Sequence, residues 1–208
     1  MRIKLGTSNN DEDSNNSSEI KVLEMSPNTI LNPITDEIEW AEIKHDIENI
    51  YYSWNTILID MYQLNVNKDD ILNFSSNLDT AALYVKKEDK SNSILAIANL
   101  YKALPQFAEI VSNDKTYNGI LKTKSFILNA YSLAETNDWE IVKNEVEKAN
   151  ESFKPVIADV EFLSNNSYRV NKTYVLLNET LNSLDTLDKK IFYIHYRNLM
   201  EEICELSA

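Results

Sequence analysis

The stretch WAEIKHDIENIYYSWNTILIDMYQL, residues 40–64, decides the fold class. Its apolar residues recur at alternating steps of three and four positions. They are Trp40, Ile43, Ile47, Ile50, Trp54, Ile57, Met61 and Leu64. A seven-residue repeat sustained over this length is typical of a long helix that packs against neighbouring helices along one face. The expected cap of this helix is Thr35 or Asp36, shortly after Pro33.

A degraded copy of the same helix, WEIVKNEVEKANESF, occupies residues 139–153. A shift of 99 residues pairs Trp40 with Trp139 and, without a gap, gives 12 identities in the 65 pairs from Trp40 to Leu104. Average composition would give about four. Because the matches span three predicted helices in one register, we infer an internal duplication whose two units cover each other's apolar faces.

Helical periodicity continues over most of the chain after Thr35, and Gly6 and Gly119 are its only glycines, so strand-connecting turns are disfavoured. The later helices are predicted at 68–86, 90–112, 116–135, from Asp138, at 167–184 and at 186–206. The sequence therefore predicts an all-α, antiparallel bundle of about seven helices with the twin helices at its centre. Its parts are a first helical unit at 35–112, a connecting helix at 113–137 and a second unit at 138–208, packed with the first as one domain.

Residues 1–34 differ in composition from the rest and are predicted to be a mostly disordered tail or tether. The tract TSNNDEDSNNSSE, Thr7–Glu19, has no apolar residue to bury. Such a tract ahead of a folded domain resembles the tether that follows the lipid-anchored cysteine in Gram-positive bacterial lipoproteins. The resemblance implies an exported protein on the outer side of a bacterial membrane, with MRIKLG standing where the signal and that cysteine would be. The alternative is an ordinary disordered terminus of a cytoplasmic protein.

The charge and cysteine content narrow the possible partners. The net charge is -13 and the pI is near 4.6, so nucleic acid is not expected as a partner, whereas a protein or a small molecule is. Cys204 is the only cysteine, so neither an intrachain disulfide nor a cysteine-based zinc site is expected. No apolar run approaches membrane-spanning length, so no direct membrane span is expected, and MRIKLG lacks a signal peptide's apolar core.

Acidic residues beside the apolar seam are a candidate metal site: Asp46, Asp60, Glu145 and Asp159. Carboxylates seven residues apart on one helix are about 10 Å apart along the axis, so a cation would need ligands from a facing helix. The alternative is that these side chains pair with lysines or arginines or cap helix ends.

Aromatic residues are a second candidate site. At Pro155 and Pro105 a missing backbone hydrogen bond is expected to kink or break a helix and to open a gap. Tyr51, Tyr52, Trp54 and Tyr62 could line such a gap as a ligand-binding wall, or pack as half-buried side chains with wet hydroxyl groups. The expected structural core contains Trp40, Trp54, Trp139 and Phe153.

Catalytic motifs are missing from the sequence, which has two histidines, His45 and His195, and no HExxH, phosphate-binding glycine loop or GxSxG elbow. We expect no enzymatic activity and no cofactor. Two functions remain open: a non-enzymatic interaction or structural domain, and a small-ligand or cation-binding protein with a pocket between the two units.

Overall fold

The computed structural model describes residues 20–25 and 40–207. Within these ranges the chain forms seven α-helices and no strand, which confirms an all-α helical bundle. The helices are α1 Trp40–Gln63, α2 Lys68–Lys86, α3 Lys90–Val111, α4 Lys115–Ala134, α5 Trp139–Ala158, α6 Val160–Ser183 and α7 Lys189–Ser207, with a 3-10 turn at Leu184–Thr186. The predicted cap of α1, at Thr35 or Asp36, lies outside the described residues.

Helices α2 to α7 each begin directly after an asparagine or aspartate whose side chain accepts a backbone N–H of the first turn. These residues are Asn67, Asp89, Asp114, Asp138, Asp159 and Asp188. This accommodates N–H groups that have no partner within the helix. Four connections also contain a residue with positive φ ahead of the cap: Asn65, Glu88, Asn137 and Leu187. The scarcity of glycine therefore does not prevent tight turns between helices.

The helix at the centre of the bundle is α4, where the sequence analysis had placed the twin helices. Helix α4 packs against α3, α5 and α7, and most of its residues are buried. Helix α1 packs chiefly on α2, and α5 packs on α4 and α6. At Gly119 in α4, which faces α5, a Cβ atom would lie 3.0 Å from the Ser152 carbonyl oxygen and 3.0 Å from Val156 Cγ2. Glycine thus lets α5 approach α4 closely.

The two units share several structural features at the predicted shift of 99 residues. Positive φ recurs at Glu88 and Leu187. Buried positions also coincide, in the pairs Ile47 and Val146, Trp54 and Phe153, Ile57 and Val156, Ile71 and Val170, Leu78 and Leu177, and Leu100 and Leu199. These coincidences favour the internal duplication, which stays a prediction.

The second unit departs from the first where α6 begins. The sequence predicted that this helix begins at residue 167. That start was wrong, because α6 begins at Val160 and contains a kink at Asn166, with φ -126° and ψ 19°. Asp159 accepts the Phe162 N–H at 2.9 Å and so starts a helix early. Helix α5 continues through Pro155 to Ala158, and α3 continues through Pro105 to Val111, so neither proline breaks its helix.

Aromatic packing forms the core of the first unit. The Trp54 ring lies 4.4 Å from Phe74 and 5.8 Å from Phe107, centroid to centroid, which joins α1, α2 and α3. Phe153 of the second unit is fully buried. Trp40 of the first unit and Trp139 of the second are partly buried against the core.

Residues 20–25 are also part of the packed structure. The sequence analysis placed them within the tail at 1–34, the rest of which lies outside the described residues. Ile20, Leu23 and Met25 are all at most 3% exposed, so this short segment lies in a groove of the bundle.

Candidate functional site

The four aromatic residues predicted as a binding wall do not line one gap. Trp54 is 3% exposed, and its indole N–H donates to Ser75 Oγ at 2.9 Å, so it belongs to the core. Tyr52 and Tyr62 are exposed, at 78% and 45%. Tyr51 is half-buried between α1 and α2.

The four acidic residues predicted as a metal site are not brought together. Glu145 is buried, lies 2.6 Å from Lys148 Nζ and accepts a hydrogen bond from the Asn129 amide at 2.6 Å. Asp159 caps α6, Asp46 is buried on α1, and Asp60 is exposed on α1. Across residues 20–25 and 40–207, no group of three or more histidine, cysteine, aspartate or glutamate side chains could hold a metal ion.

Hydrogen bonds explain the state of the Asp159 carboxylate. It accepts the backbone N–H of Phe162 at 2.9 Å and the Thr116 hydroxyl at 2.5 Å. These bonds favour the charged form and hold the pKa of Asp159 below its usual value. Asp159 therefore has a structural role, joining the start of α6 to α4.

An open cleft of about 800 Å³ lies between α5 and α6 in the second unit. We call it the α5–α6 cleft; it is lined by Glu147, Asn150, Glu151, Lys154, Ile157, Ala158, Asn171, Tyr174 and Leu181. Apolar side chains and a tyrosine therefore lie beside carboxylates, amides and one lysine. This volume falls within the range typical of ligand sites.

The first unit has different side chains at the positions that correspond to this cleft. At the positions equivalent to Asn150 and Asn178 it has Tyr51 and Asp79, one on each helix, and the Tyr51 hydroxyl donates to the Asp79 carboxylate at 2.5 Å. Tyr51 therefore bridges α1 and α2. In the second unit the Asn150 amide donates to Asn178 Oδ1 at 3.4 Å, and Asn150 lines the cleft.

The environment of Tyr51 changes its ionisation. Burial, followed by the hydrogen bond to Asp79 and the charge of that carboxylate, raises the pKa of Tyr51 to about 12. At physiological pH Tyr51 is therefore neutral and bridges α1 and α2. It does not form part of an open binding surface.

Among the exposed residues of α6, Tyr174 lines the cleft and is 45% exposed. Val175 and Tyr168 are 53% and 76% exposed and are not among the cleft residues. The charged residues at the cleft include Glu151, whose carboxylate lies 2.6 Å from Lys154 Nζ. The cleft can therefore accept an apolar side chain between polar and charged contacts.

A buried lysine is the centre of a second polar arrangement, which the sequence analysis did not identify. Lys124 on α4 is 4% exposed and forms an ion pair with Glu24 of the segment Ile20–Met25. Its Nζ lies 5.6 Å from the centroid of the Tyr101 ring, within the range of a cation–π contact. The only signal in the sequence is a lysine within the apolar pattern of α4, and nothing there indicates its partner.

Neighbouring charges decide the ionisation of this arrangement. Burial disfavours the Lys124 ammonium, but the Glu24 carboxylate and other neighbours outweigh it, so the pKa of Lys124 lies above its usual value. Burial raises the pKa of Tyr117 and of the Cys204 thiol. Cys204 is therefore not an activated nucleophile.

The histidines form no catalytic arrangement with the other residues described above. His45 is exposed on α1, and His195 is half-buried on α7 with its Nδ1 atom buried and without a hydrogen-bond partner in the described structure. No nucleophile contacts either ring in the described hydrogen bonds. The absence of enzymatic activity stays a prediction.

One helix of the described ranges, α3, is long and apolar enough to cross a membrane by length and composition alone. Half of its most apolar window is buried inside the bundle, and a core helix passes the same test.

Comparison of the chain with protein-family models, with curated proteins and with solved structures found no match.

Proposed function

We propose that this protein is a non-enzymatic interaction domain that binds a segment of another protein in the α5–α6 cleft. The observation that carries the proposal is the contrast between the two units. Tyr51 bridges α1 and α2 through its hydrogen bond to Asp79, whereas Asn150, 99 residues later, lines the open cleft between α5 and α6. Open apolar surface beside polar groups is typical of interaction sites.

The charges favour a neutral or cationic partner segment. Glu147 and Glu151 lie at the cleft, and the whole chain has a net charge of -13. A partner segment would match this surface if one of its apolar side chains packed against Ile157 and Leu181 and one basic residue lay at the edge of the cleft.

A small ligand is the alternative occupant, because the cleft volume also suits one. A cation is the weaker choice, since Glu151 is already paired with Lys154. We further propose that residues 1–19 are the tether of an exported bacterial lipoprotein, on the strength of the polar tract Thr7–Glu19.

The test is native mass spectrometry of the protein isolated from its source organism, as wild type and as the double variant N150Y/E151Y. This variant introduces tyrosine where the first unit has Tyr51 and Tyr52, and so fills the cleft. The matched control is N198Y/E201Y, which makes the same two kinds of change at exposed positions on α7.

The proposal predicts a bound protein on the wild type and on the control, and none on the cleft-filled variant. A bound mass of a few hundred daltons that the filled variant loses would instead favour the small-ligand alternative. A bound protein retained by the filled variant would refute the cleft as the site. The same spectra would show a lipid-sized addition if the tether proposal is correct.

A further inference from the structure

The groove that holds Ile20–Met25 has the contacts of a peptide-binding site. It lies between α3, α4 and the end of α7, and we call it the Lys124 groove after the buried lysine on its floor. Ile20, Leu23 and Met25 supply three buried apolar side chains, and Glu24 supplies the carboxylate that pairs with Lys124.

Groups of the bundle also form hydrogen bonds with the backbone and the charged side chains of this segment. The Met25 N–H donates to the Tyr101 hydroxyl at 3.0 Å, and the Tyr117 hydroxyl donates to Glu24 Oε1 at 3.4 Å. Lys21 donates from Nζ to the Ser207 carbonyl at 2.9 Å. Three helices thus contribute one contact or more each, as the walls of a recognition groove do.

Ile20 and Lys21 are helical, and a turn follows them. In this turn the Leu23 N–H donates to the Ile20 carbonyl at 2.9 Å, and the Glu24 N–H donates to the Lys21 carbonyl at 3.1 Å. Residues 26–39 separate it from α1, and 14 residues can span up to about 50 Å. This length of chain is therefore sufficient for the segment to leave the groove while α1 keeps its place.

Departure of the segment would leave a cationic groove. Lys124 would lose its carboxylate, since Glu24 is its one ion-pair partner among the residues that the structure describes. A buried charge without a partner is costly, so the empty groove favours a replacement carboxylate. The Tyr101 and Tyr117 hydroxyl groups would remain as hydrogen-bonding groups beside it.

We propose that the Lys124 groove is a recognition site for a partner protein segment in which a glutamate lies between apolar residues, and that Ile20–Met25 occupies it as an intramolecular competitor. This site is distinct from the α5–α6 cleft and does not depend on it. Because it belongs to the same chain, the internal segment competes with a partner segment at a high effective concentration. A segment from a partner therefore binds well only when the internal one is displaced.

The test uses the full chain and a fluorescent peptide with the sequence EIKVLEMS, residues 19–26. An unlatched variant, L23S/E24Q, weakens the internal segment and leaves every residue of the groove wall in place. By fluorescence anisotropy, the peptide should bind the unlatched chain about tenfold or more tightly than the wild type. A peptide with glutamine in place of its second glutamate should bind at least tenfold more weakly.

The matched control compares two lysines of α4 in the unlatched chain. K124M should abolish peptide binding, whereas K122M should leave it unchanged, because Lys122 is more exposed and pairs with Glu109. Equal binding by the two variants, or no binding by an unlatched chain that keeps its helical circular dichroism, would overturn the proposal.

Hydrogen exchange of the wild-type chain keeps the proposal testable if the unlatched variant does not fold. The Met25 N–H should exchange through a local opening, at least a hundredfold faster than the slowest backbone amides of α4. Exchange of Met25 only at the rate of global unfolding would mean that the segment is a fixed part of the fold, and would overturn the proposal.

Discussion

Substitution of Gly119 by valine should destabilise the protein by about 3 kcal/mol. Even a Cβ atom at this position would lie 3.0 Å from both the Ser152 carbonyl oxygen and Val156 Cγ2. Valine adds two further methyl groups, and such overpacking costs about 1 to 3 kcal/mol or more. The gain in helix propensity over glycine is only about 0.4 kcal/mol, so it does not offset this cost.

The assay is urea unfolding followed by circular dichroism at 222 nm. The control is K122V on the same helix, where the side chain is partly exposed, and it should change the free energy of unfolding by less than about 1 kcal/mol. G119A should lie between wild type and G119V. Equal stability of G119V and wild type would refute the close approach of α4 and α5 at this glycine.

Three further predictions concern other parts of the bundle. Trp40→Ala and Trp139→Ala should each lower the free energy of unfolding by roughly 3 kcal/mol, because both rings pack against the core; chemical unfolding that gave losses differing by more than about 2 kcal/mol would contradict the equivalence of the two units. Tyr51 should contribute fully to the free energy of unfolding below pH 10, and this contribution should be lost between pH 10 and 12. The reason is that the pKa of Tyr51 is raised from 10.0 to about 12 in the folded state. If a Tyr51→Phe variant lost as much free energy of unfolding over this range as the wild type, other groups would be responsible. Lys124→Met should cost about 3 kcal/mol in urea unfolding, because it leaves a carboxylate unpaired in a buried site, whereas Lys122→Met should cost less than about 1; equal costs would contradict the burial of the first pair.

Local patterns in the sequence were sufficient for most of the fold. The heptad of α1 predicted a helix whose positions Ile47, Ile50, Trp54, Ile57 and Met61 are all buried. Most helix starts follow from aspartate or asparagine caps, which act within three residues of their position. These are local interactions, and of these six caps the sequence analysis named Asp138.

The connections were harder to predict, because ordinary residues occupy unusual conformations there. Glu88 and Leu187 have positive φ, at 56° and 52°, although neither residue type favours it. The early start of α6 depends on Asp159, which Thr116 of a distant helix contacts. The equivalent Asp60 has no such cap role in α1, which continues to Gln63.

Tertiary contacts explain why the candidate sites differ from those predicted. Trp54 faces Phe74 and Phe107 in the core, and no periodicity distinguishes that environment from the wall of a cleft. Tyr51 and Tyr52 were predicted to line a gap, whereas the cleft that the structure shows is lined by Asn150 and Glu151. Glu24 and Lys124 are separated by 100 residues, so only the fold could pair them.

Site-specific photo-crosslinking tests the proposed function most directly. A photoreactive phenylalanine analogue would replace Tyr174, inside the cleft, or Tyr168, an exposed tyrosine of the same helix that is not among the cleft residues. In the source organism, the account predicts one protein adduct from position 174 that N150Y/E151Y abolishes, and no such adduct from position 168. Equal labelling from the two positions, or an adduct that persists in the cleft-filled chain, would contradict binding in the α5–α6 cleft.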